Sequence, residues 1–536
     1  MSIAALVRTA AERYGTAVAV EDSAGSRTFA DLSDRVHLLA AGLLLAGVPP
    51  KARIVCLLPN SVSAVEVDLA LAVGGFVRVS LNPRVGATDW MRVIQDCEPQ
   101  ALIVDSRIGG AAELADEADL PLVIGADRPV HGGSSTLEKI IAAAPASVDP
   151  QPPDVESLCA LHYSSGTTGI PKGAQRTHAN RLASLRAMRD HVLAETFDSD
   201  EPAVFLHAGP IIHTSGLFVL PFLDAGGRQV LLDRATAADL VDAVSTHQAT
   251  HTAVVPTVIS RLLEFDDAHL AVMRRMRMLA YAGAPMPAEH IRQAFHRITP
   301  NLVQYYGMVE AIPPLTVLTP EDHRRGVLDG ADILTSIGRP CAQTRIEIRE
   351  NNRPVADGTV GELVINGPAV SPGYHDAYGR KDLGKNHIDG DLHSGDLGFR
   401  GADGYIRLTG RSNDMIISGG YNVYPREVEE ALAAIPGVGD VVVVGLPDPI
   451  WGQRIAAVYT GVDGRPVGEA TVLAESRRRL PDFKRPKSAH LVDALPLTAL
   501  GKVDRATATR MLTSTVAAET LRPEMSVPAP THPLPT

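Results

Sequence analysis

The sequence is poor in the features that mark disulfide-rich, zinc-binding or membrane-spanning proteins. It contains only 4 cysteines, and none of them forms a C-x-x-C pair, so neither a zinc site nor a disulfide framework is expected. The most apolar stretch, residues 37–48, is shorter than the about 18 residues that a spanning helix needs, which predicts a buried helix there. The first residues also lack the long apolar run of a secretory leader. We therefore expect no membrane insertion and a cytoplasmic location.

An excess of positive charge is also missing. The chain has 50 Lys and Arg against 62 Asp and Glu, a formal net charge of −12. Nucleic-acid binders usually present a basic face, so no nucleic-acid partner is expected. A small anionic ligand is not excluded, since a phosphate site needs only a few donors. At 536 residues the chain is too long for one ordinary core, and we expect two or more domains.

The apolar pattern changes character along the chain. In the first part, helical patterns at 31–46 and 62–73 alternate with β-branched runs at 53–57, 100–104 and 121–124. This alternation predicts stacked α/β layers.

Beyond Arg411 the pattern indicates a separate, compact α+β module with two helices and two strands, at 426–434, 440–444, 455–459 and 469–480. The last stretch, 521–536, is rich in proline and poor in apolar residues, which predicts a disordered tail.

The strongest local motif is the run from Tyr163 to Gly173, Tyr-Ser-Ser-Gly-Thr-Thr-Gly-Ile-Pro-Lys-Gly. Gly, Ser and Thr directly after a strand expose backbone N–H groups and hydroxyls that bind phosphate oxygens, and Lys172 adds a cation. The motif is not a Walker A loop, because no G-K-[ST] closes it. A flexible linker is a weaker alternative, since linkers rarely follow a buried strand. The predicted phosphate-binding residues are Ser164, Ser165, Gly166, Thr167, Thr168, Gly169 and Lys172.

This run resembles the phosphate loop of the adenylate-forming (AMP-binding) superfamily, which includes acyl-CoA synthetases, adenylation domains of peptide synthetases and luciferases. Further motifs similar to the family's follow in the family's order over nearly the whole chain: Thr177–Asn180, Gly209–Gly216, Tyr281–Pro285, Tyr306–Glu310, Gly361–Leu363, Ser394–Asp396, Gly410–Arg411, Ser418–Glu427 and Leu495–Arg505.

The resemblance implies a multi-layer α/β domain at 1–410, which binds ATP and the acyl substrate. It implies a hinge at 411–413 and a small, mobile α+β domain at 414–520 that carries the catalytic lysine. The fold class is therefore α/β with a small α+β domain, like that of acyl-CoA synthetases. A homodimer is one quaternary structure that we consider for this chain.

The resemblance also assigns roles around ATP. Tyr306 would stack on adenine, Asp396 would accept the ribose hydroxyls, and Arg411 would contact ribose or phosphate. Glu310, with Thr168, would hold a Mg²⁺ ion that bridges ATP phosphates, since that ion prefers hard oxygen ligands. The remaining ATP- or AMP-binding residues implied are Gly283, Ala284, Pro285, Tyr305, Gly307 and Met308.

Lys502 is implied as the adenylation catalyst, together with His213 and Glu310. Attack of a carboxylate on the α-phosphate gathers negative charge, which a nearby cation stabilises most in the transition state. Two further sets are implied: an acyl pocket at His213, Thr214, Gly216, Tyr281, Gly307 and Ile312, and a coenzyme A tunnel at Gly419, Gly420 and Tyr421.

Three residues depart from the family's pattern. Val309 replaces the usual Thr before Glu310 and removes a hydroxyl that normally meets a phosphate. Asn413 occupies the hinge position where Asp or Lys is usual, and Asp391 replaces an aromatic residue before Ser394. None of these changes removes an essential charge.

These observations predict an ATP-dependent, AMP-forming carboxylic acid–CoA ligase, acting on an aromatic or medium-chain acid. One alternative is an adenylating enzyme with another acceptor, such as a carrier-protein thiol or an amine, or one that activates a different nucleophile such as nitrite. Another is a catalytically inactive ATP-binding or regulatory protein. It is disfavoured because Lys172, Glu310, Asp396 and Lys502 are all present. A serine hydrolase is disfavoured because the chain has no G-x-S-x-G motif.

Overall fold

A computed structural model of the chain describes residues 2–130, 133–145, 150–164, 172–194, 196–197, 201–233, 235–330, 332–375, 386–388, 390–462, 467–498 and 502–520. The chain divides into two compact units. The first comprises Met1–Thr409 and Ala499–Lys502, and the second comprises Gly410–Thr498 and Val503–Thr536. The predicted tail, 521–536, lies outside the described residues.

The first unit is built of alternating strands and helices. Its strands are β1 (Val18–Asp22), β2 (Gly25–Thr28), β3 (Arg53–Leu57), β4 (Val77–Ser80), β5 (Ala101–Val104), β6 (Val123–Gly125), β7 (Ser135–Thr136), β8 (Leu158–Ser164), β9 (Lys172–Thr177), β10 (Val204–His207), β11 (Arg228–Leu231), β12 (His251–Val254), β13 (Met278–Ala282), β14 (Leu302–Met308), β15 (Ala311–Leu318), β16 (Arg339–Pro340), β17 (Arg345–Glu350), β18 (Arg353–Pro354), β19 (Gly361–Asn366), β20 (His387–Ile388), β21 (Asp391–Arg400) and β22 (Ile406–Arg411), whose last two residues belong to the second unit.

Its α-helices are α1 (Ile3–Tyr14), α2 (Phe29–Leu45), α3 (Val62–Val73), α4 (Ala87–Cys97), α5 (Ala111–Glu117), α6 (Leu137–Ala143), α7 (His178–Ala187), α8 (Val219–Ala225), α9 (Ala237–Thr246), α10 (Pro256–Leu262), α11 (Asp267–Leu270), α12 (Ala288–Arg297) and α13 (Pro320–Leu328). Among the described residues, no helix is both long enough and apolar enough to cross a membrane.

Two large sheets form the layers of this unit. Within the described part of the chain, one is a nine-stranded sheet of order β16-β15-β14-β13-β12-β10-β11-β1-β2, parallel in its centre. The other, over the same described residues, is a seven-stranded sheet of order β7-β6-β5-β3-β4-β8-β9, in which only the pair β8–β9 is antiparallel. The stacked α/β layers that the sequence predicts are confirmed.

The parallel strands are apolar on both faces because helices cover both sides. Leu279 and Leu302 of the nine-stranded sheet belong to a buried apolar cluster that includes side chains of α9, α10 and α12. Their sequence neighbours Ala280 and Val303 belong to a different cluster, which includes Phe218. Strands buried on both sides show a continuous apolar run rather than alternation. The predicted buried helix at 37–48 is confirmed, since α2 buries Leu39 and Leu43.

One family motif has a structural role in this unit. Thr177 caps α7 in a capping box with Asn180, whose side chain also donates to the carbonyl oxygens of Pro368 at 2.8 Å and Val370 at 3.0 Å. A cap of this kind contributes about 1 kcal/mol. The motif therefore fixes the start of the helix that follows the predicted phosphate loop.

A smaller antiparallel sheet completes the first unit, with order β18-β17-β19-β21-β20 and with β22 paired to β21. Asp391 at the start of β21 forms an ion pair with Arg349 at 2.7 Å and accepts a hydrogen bond from Asn366 at 3.1 Å. Although burial acts to raise it, Arg349 and Asn366 hold the pKa of Asp391 below its usual value. The carboxylate of Asp391, which replaces the family's usual aromatic residue, is therefore paired with side chains of the same sheet and its connections.

The second unit is a small α+β module. It contains β23 (Ile416–Ser418), β24 (Tyr421–Val423), β25 (Val438–Asp448), β26 (Gly452–Gly461), β27 (Ser488–Leu491), α14 (Pro425–Ala433), α15 (Glu469–Arg479) and α16 (Arg505–Thr520). The strand order is β24-β23-β26-β25, with β27 parallel to β26. The predicted helices and strands of this module are present, and the strands are longer than the sequence indicates.

Candidate active site

The two ends of the predicted phosphate loop are adjacent in the structure. Strands β8 and β9 are antiparallel neighbours, and their register pairs Ser164 with Lys172. Tyr163 donates a hydrogen bond to Asp96 at 2.6 Å, and a Cβ on Gly173 would lie 2.7 Å from the Tyr163 ring. Glycine is therefore required for this close packing. The predicted phosphate-binding residues Ser165, Gly166, Thr167, Thr168 and Gly169 lie outside the described residues.

The residues predicted to bind adenosine meet at the end of β14. The Tyr306 hydroxyl donates to the Asp396 carboxylate at 2.5 Å. Asp396 is 4% exposed, and Ser394 fixes its backbone through a 3.0 Å hydrogen bond. Tyr305 points to the other side of the strand and lies in the core, where burial raises its pKa. Of the two tyrosines predicted here, only the side chain of Tyr306 faces Asp396.

Glu310 is held by its surroundings. Its carboxylate accepts a hydrogen bond from the Tyr374 hydroxyl, and its carbonyl oxygen accepts one from Ser371 at 2.8 Å. Burial and Glu310 together raise the pKa of Tyr374, so this hydroxyl remains a donor. Among the described residues, no group of three or more His, Cys, Asp and Glu side chains could hold a metal ion. A divalent ion at Glu310 would therefore be completed mainly by phosphate and water oxygens, together with the predicted ligand Thr168, which lies outside the described residues.

Lys502 lies beside Gly283 in the first unit. An ideal Cβ on Gly283 would lie 3.2 Å from Lys502 Cε and 3.5 Å from its Nζ. Gly283 has a φ of +89°, a conformation that favours glycine. It directly follows β13, at the carboxyl end of a parallel strand, which is where ligands bind in open α/β sheets. Glycine thus makes room for the lysine at this edge.

His213 is neutral near pH 7. Burial, assisted by the Lys502 and Arg176 cations, lowers the pKa of His213 to about 3. Its Nδ1 lies 2.7 Å from the Thr214 hydroxyl oxygen, and its ring centroid lies 6.1 Å from that of His162. His213 therefore offers shape and hydrogen bonding rather than charge.

A cavity of about 50 Å³ opens beside His213. Three predicted acyl-pocket residues, His213, Gly216 and Ile312, line it. The Tyr281 side chain does not, because it is buried in the core with its hydroxyl 2.9 Å from His323 Nε2. The remaining lining is small or apolar except for four charged side chains: Asp68, Arg78, Arg176 and Arg181.

We expect Gly216→Ala to lower the free energy of unfolding by about 1–3 kcal/mol, because an ideal Cβ there would lie 1.9 Å from the Ile211 carbonyl oxygen. Thermal unfolding measures the loss. Gly209→Ala in the same motif is the matched control, since its Cβ would meet nothing nearer than Ser215 at 3.8 Å. Equal melting temperatures for the two variants would contradict this interpretation.

Asn60 is a positioning residue that the sequence analysis missed. Its amide nitrogen donates to the carbonyl oxygens of Gly209 at 2.8 Å and Leu232 at 3.1 Å, and its amide oxygen accepts from the Ile211 N–H at 2.8 Å. It thereby ties the segment before His213 to two strand ends. The signal in the sequence was a lone amide side chain soon after strand β3, which also fits an ordinary turn.

The residues predicted to line a coenzyme A tunnel lie in the second unit. Gly419 and Gly420 have φ values of +59° and +82° and connect β23 to β24. Tyr421 is 56% exposed and stacks on Phe483 with 4.6 Å between ring centroids. A Cβ on Gly419 would lie 2.7 Å from the Trp451 ring, whereas one on Gly420 would meet nothing within 4 Å. Arg411 ends β22 and is exposed.

Family models match most of the chain. The model for AMP-binding enzymes matches residues 7–375, and the model for the AMP-binding enzyme C-terminal domain matches residues 427–502. A feruloyl-CoA synthase from Amycolatopsis sp is 35% identical over 496 residues, covering 91% of this chain and 94% of the relative. A medium/long-chain-fatty-acid–CoA ligase, FadD8, from Mycobacterium tuberculosis is 31% identical over 469 residues, covering 83% of this chain and 79% of the relative.

Solved structures of similar enzymes share the fold. The amide bond synthetase McbA from Marinactinospora thermotolerans superposes with a TM-score of 0.84 at 28% identity, covering 95% of this chain and 99% of that one. ATP-bound MatB from Rhodopseudomonas palustris superposes with a TM-score of 0.83 at 28% identity, covering 96% of this chain and all, 100%, of that one. The predicted fold class, a large α/β domain with a small α+β domain, is confirmed.

Proposed function

This chain belongs to the AMP-binding enzyme family, and from that premise we propose that it joins a carboxylic acid to coenzyme A through an acyl-adenylate. It is an ATP-dependent, AMP-forming acid–CoA ligase. In the first step a carboxylate oxygen attacks the α-phosphorus of ATP and pyrophosphate leaves. In the second step the coenzyme A thiol loses its proton, its sulfur attacks the acyl carbon, and AMP leaves.

One observation supports assigning this reaction to specific residues. Side chains that lie far apart in the sequence meet around the carboxyl ends of β13 and β14: Tyr306 is bonded to Asp396, and Lys502 lies against Gly283. Tyr306 would cover the adenine, with Asp396 accepting the ribose hydroxyls. Lys502 would place its ammonium at the oxygens exchanged in the first step, where negative charge develops.

Glu310 is our candidate for holding Mg²⁺. A carboxylate that is fixed by Tyr374 offers one hard oxygen ligand, and Mg²⁺ commonly combines one or two protein carboxylates with substrate phosphates and waters. The bound ion would supply charge neutralisation at the β- and γ-phosphates. Lys172, at the start of β9, would add a second positive charge on the phosphate side.

The acyl group would occupy the cavity beside His213. This location, and relatives named for feruloyl and for medium- and long-chain acids, support an aromatic or medium-chain acid as substrate. An amine is the second candidate acceptor, because the amide bond synthetase shares the fold over nearly its whole length. Coenzyme A is preferred because the relatives named as CoA ligases cover the chain at higher identity.

The direct experiment measures pyrophosphate release across a panel of carboxylic acids, with and without coenzyme A. We expect acid-dependent pyrophosphate and AMP, with a thioester formed only when coenzyme A is present. Release of pyrophosphate with no thioester, but with an amide when amines are supplied, would establish the second candidate. Absence of acid-dependent AMP from every acid would remove the proposed function.

A further inference from the structure

The cavity beside His213 has an unusual charge for an acyl pocket. Three guanidinium groups and one carboxylate line it, so its wall carries a net charge of two positive units while His213 stays neutral. Its volume of about 50 Å³ is several times the about 10–15 Å³ that one water molecule needs. A smaller adjoining cavity of about 20 Å³ shares Asp68 and Arg78. A purely apolar acyl group would thus lie against a wall of net positive charge.

Two of the three arginines form ion pairs within the protein, although the buried Nε of Arg78 has no hydrogen-bond partner among the described residues. Arg78 pairs with Asp68 at 2.5 Å, and Arg181 pairs with it at 2.8 Å. The Asp68 side chain is only 10% exposed, and although burial acts to raise it, Arg181 and Arg78 hold its pKa below the usual value. This triad ties α3 to β4 and α7. We take its role to be structural, since breaking a buried ion pair is costly.

In the part of the chain that the structure describes, no carboxylate forms an ion pair with Arg176, although the charge of Glu310 acts on it and raises its pKa. Among the described residues it forms a single hydrogen bond, from its guanidinium to the Val309 carbonyl oxygen at 3.3 Å, and its buried Nε has none. Burial, with Arg78 close by, lowers its pKa to about 9, which leaves it positively charged near neutral pH. A charge that is partly removed from water and has no ion-pair partner costs free energy, so a ligand that supplies an opposite charge would stabilise the site.

The chemistry of the missing partner follows from the guanidinium group. Arginine presents several donors in a planar fork that matches a carboxylate or a sulfonate, and such charge-assisted bonds are about twice as strong as neutral ones. The position of the cavity matters as well, because Gly216 and Ile312 are also in its wall. An anion at Arg176 would therefore sit on the acyl part of the substrate.

We propose that the acid activated by this enzyme carries a second anionic group, a carboxylate or a sulfonate, which Arg176 binds in the cavity while the first carboxylate is adenylated. The inference rests on the proposed function and narrows its substrate class: the aromatic or medium-chain acid is a dianion. The adenylated end reacts as described above, and the second anion takes no part in bond making.

The test compares acids in pairs that differ only in the charge of the distal group. Terephthalate is paired with 4-carbamoylbenzoate, 4-sulfobenzoate with 4-sulfamoylbenzoate, and glutarate and adipate with their monoamides. Pyrophosphate release gives kcat/KM for each member. We expect kcat/KM for at least one dianion to exceed that for its monoanionic partner by about 100-fold or more. The reason is that a site built to bind a polar group strongly rejects analogues that lack that group. The carboxylate and sulfonate arms distinguish the two anions.

Arg176→Leu and Arg176→Gln then assign the preference to this side chain. In both variants the ratio of kcat/KM between the dianion and its monoanionic partner should fall by about 100-fold. The Leu variant should also gain activity on the monoanionic partners. Arg186→Gln is the matched control, because it removes an exposed arginine of α7 and should leave every ratio unchanged. Circular dichroism and thermal unfolding establish that the variants are folded.

Three results would overturn the inference. Equal kcat/KM within every pair would show that the cavity does not distinguish a charged distal group from an uncharged one. A uniform loss for all acids in the Arg176 variants would place this side chain on the reacting carboxylate or ATP. Unchanged ratios in those variants would assign the preference elsewhere. Each leaves the proposed function intact, because acid-dependent pyrophosphate release reports that function and the ratio within a pair reports the inference.

Discussion

Lys502→Ala is expected to slow adenylate formation by about 100- to 1,000-fold, the loss typical of removing one group that stabilises charge developing in a transition state. Transfer of the acyl group from pre-made acyl-adenylate to coenzyme A should stay near the parental rate. The reason is that the ammonium acts while the phosphoanhydride bond breaks, and that bond is absent from the second step. Single-turnover measurements of each half-reaction separate the two.

Two further variants complete this test. Lys502→Arg keeps the positive charge and should recover part of the first half-reaction. Lys139→Ala removes an exposed lysine of the first unit and should change neither step. A similar loss in both half-reactions of Lys502→Ala would mean that Lys502 supports the structure rather than the adenylation step.

Gly420→Leu is expected to block thioester formation by about 100-fold or more, the effect of misplacing a reactant, while acid-dependent pyrophosphate release survives. An ideal Cβ on Gly420 meets nothing within 4 Å, so a side chain added there starts in open space and the cost to the unit is backbone strain alone. It would project into the space that we assign to the pantetheine arm. The readouts are acyl-CoA formation from pre-made adenylate and pyrophosphate release in the full reaction.

The backbone of Gly420 provides the control. Its φ of +82° strains any side chain, so Gly420→Ala carries the same backbone cost as Gly420→Leu with far less bulk. We expect the Ala variant to retain most thioester formation. If the Leu variant converted adenylate into acyl-CoA at the parental rate, this loop would not line the coenzyme A tunnel.

Much of the architecture could be predicted because its signals are local. The apolar runs of β3 and β5 and the helical pattern of α3 lie where the sequence places them. The edges of elements were less predictable: β25 and β26 extend to Asp448 and Gly461, beyond their apolar runs, in a long antiparallel ladder. Such pairing depends on the partner strand, which a single run of sequence does not reveal.

The adenosine side of the candidate site was predictable by resemblance, whereas its charge environment was not. Tyr306 and Asp396 lie in motifs, and the structure brings them together. Arg176 lies just outside the motifs, one residue before Thr177, and its importance arises only when Arg78 and Arg181 are seen to share a single carboxylate at Asp68. These side chains come from α3, β4, β9 and α7, and only folding places them around one cavity.

Tyr281 shows the opposite limit. Its motif resembles an acyl-pocket segment, yet alternation along β13 turns this side chain into the core, where it lies 2.9 Å from His323. The backbone that follows, at Gly283, reaches the site instead. A motif therefore located the strand end correctly without specifying which atoms face the ligand.

The most direct test of the central claim follows oxygen from the acid. The enzyme is supplied with ATP, coenzyme A and a substrate acid labelled with ¹⁸O in both oxygens of the activated carboxylate. Mass spectrometry of the products should find one ¹⁸O in the phosphate of AMP and the other in the acyl-CoA thioester, with unlabelled pyrophosphate. That pattern arises because the carboxylate attacks the α-phosphorus and the acyl carbon is then attacked by sulfur. AMP without label, or ADP and inorganic phosphate in its place, would contradict an acyl-adenylate mechanism.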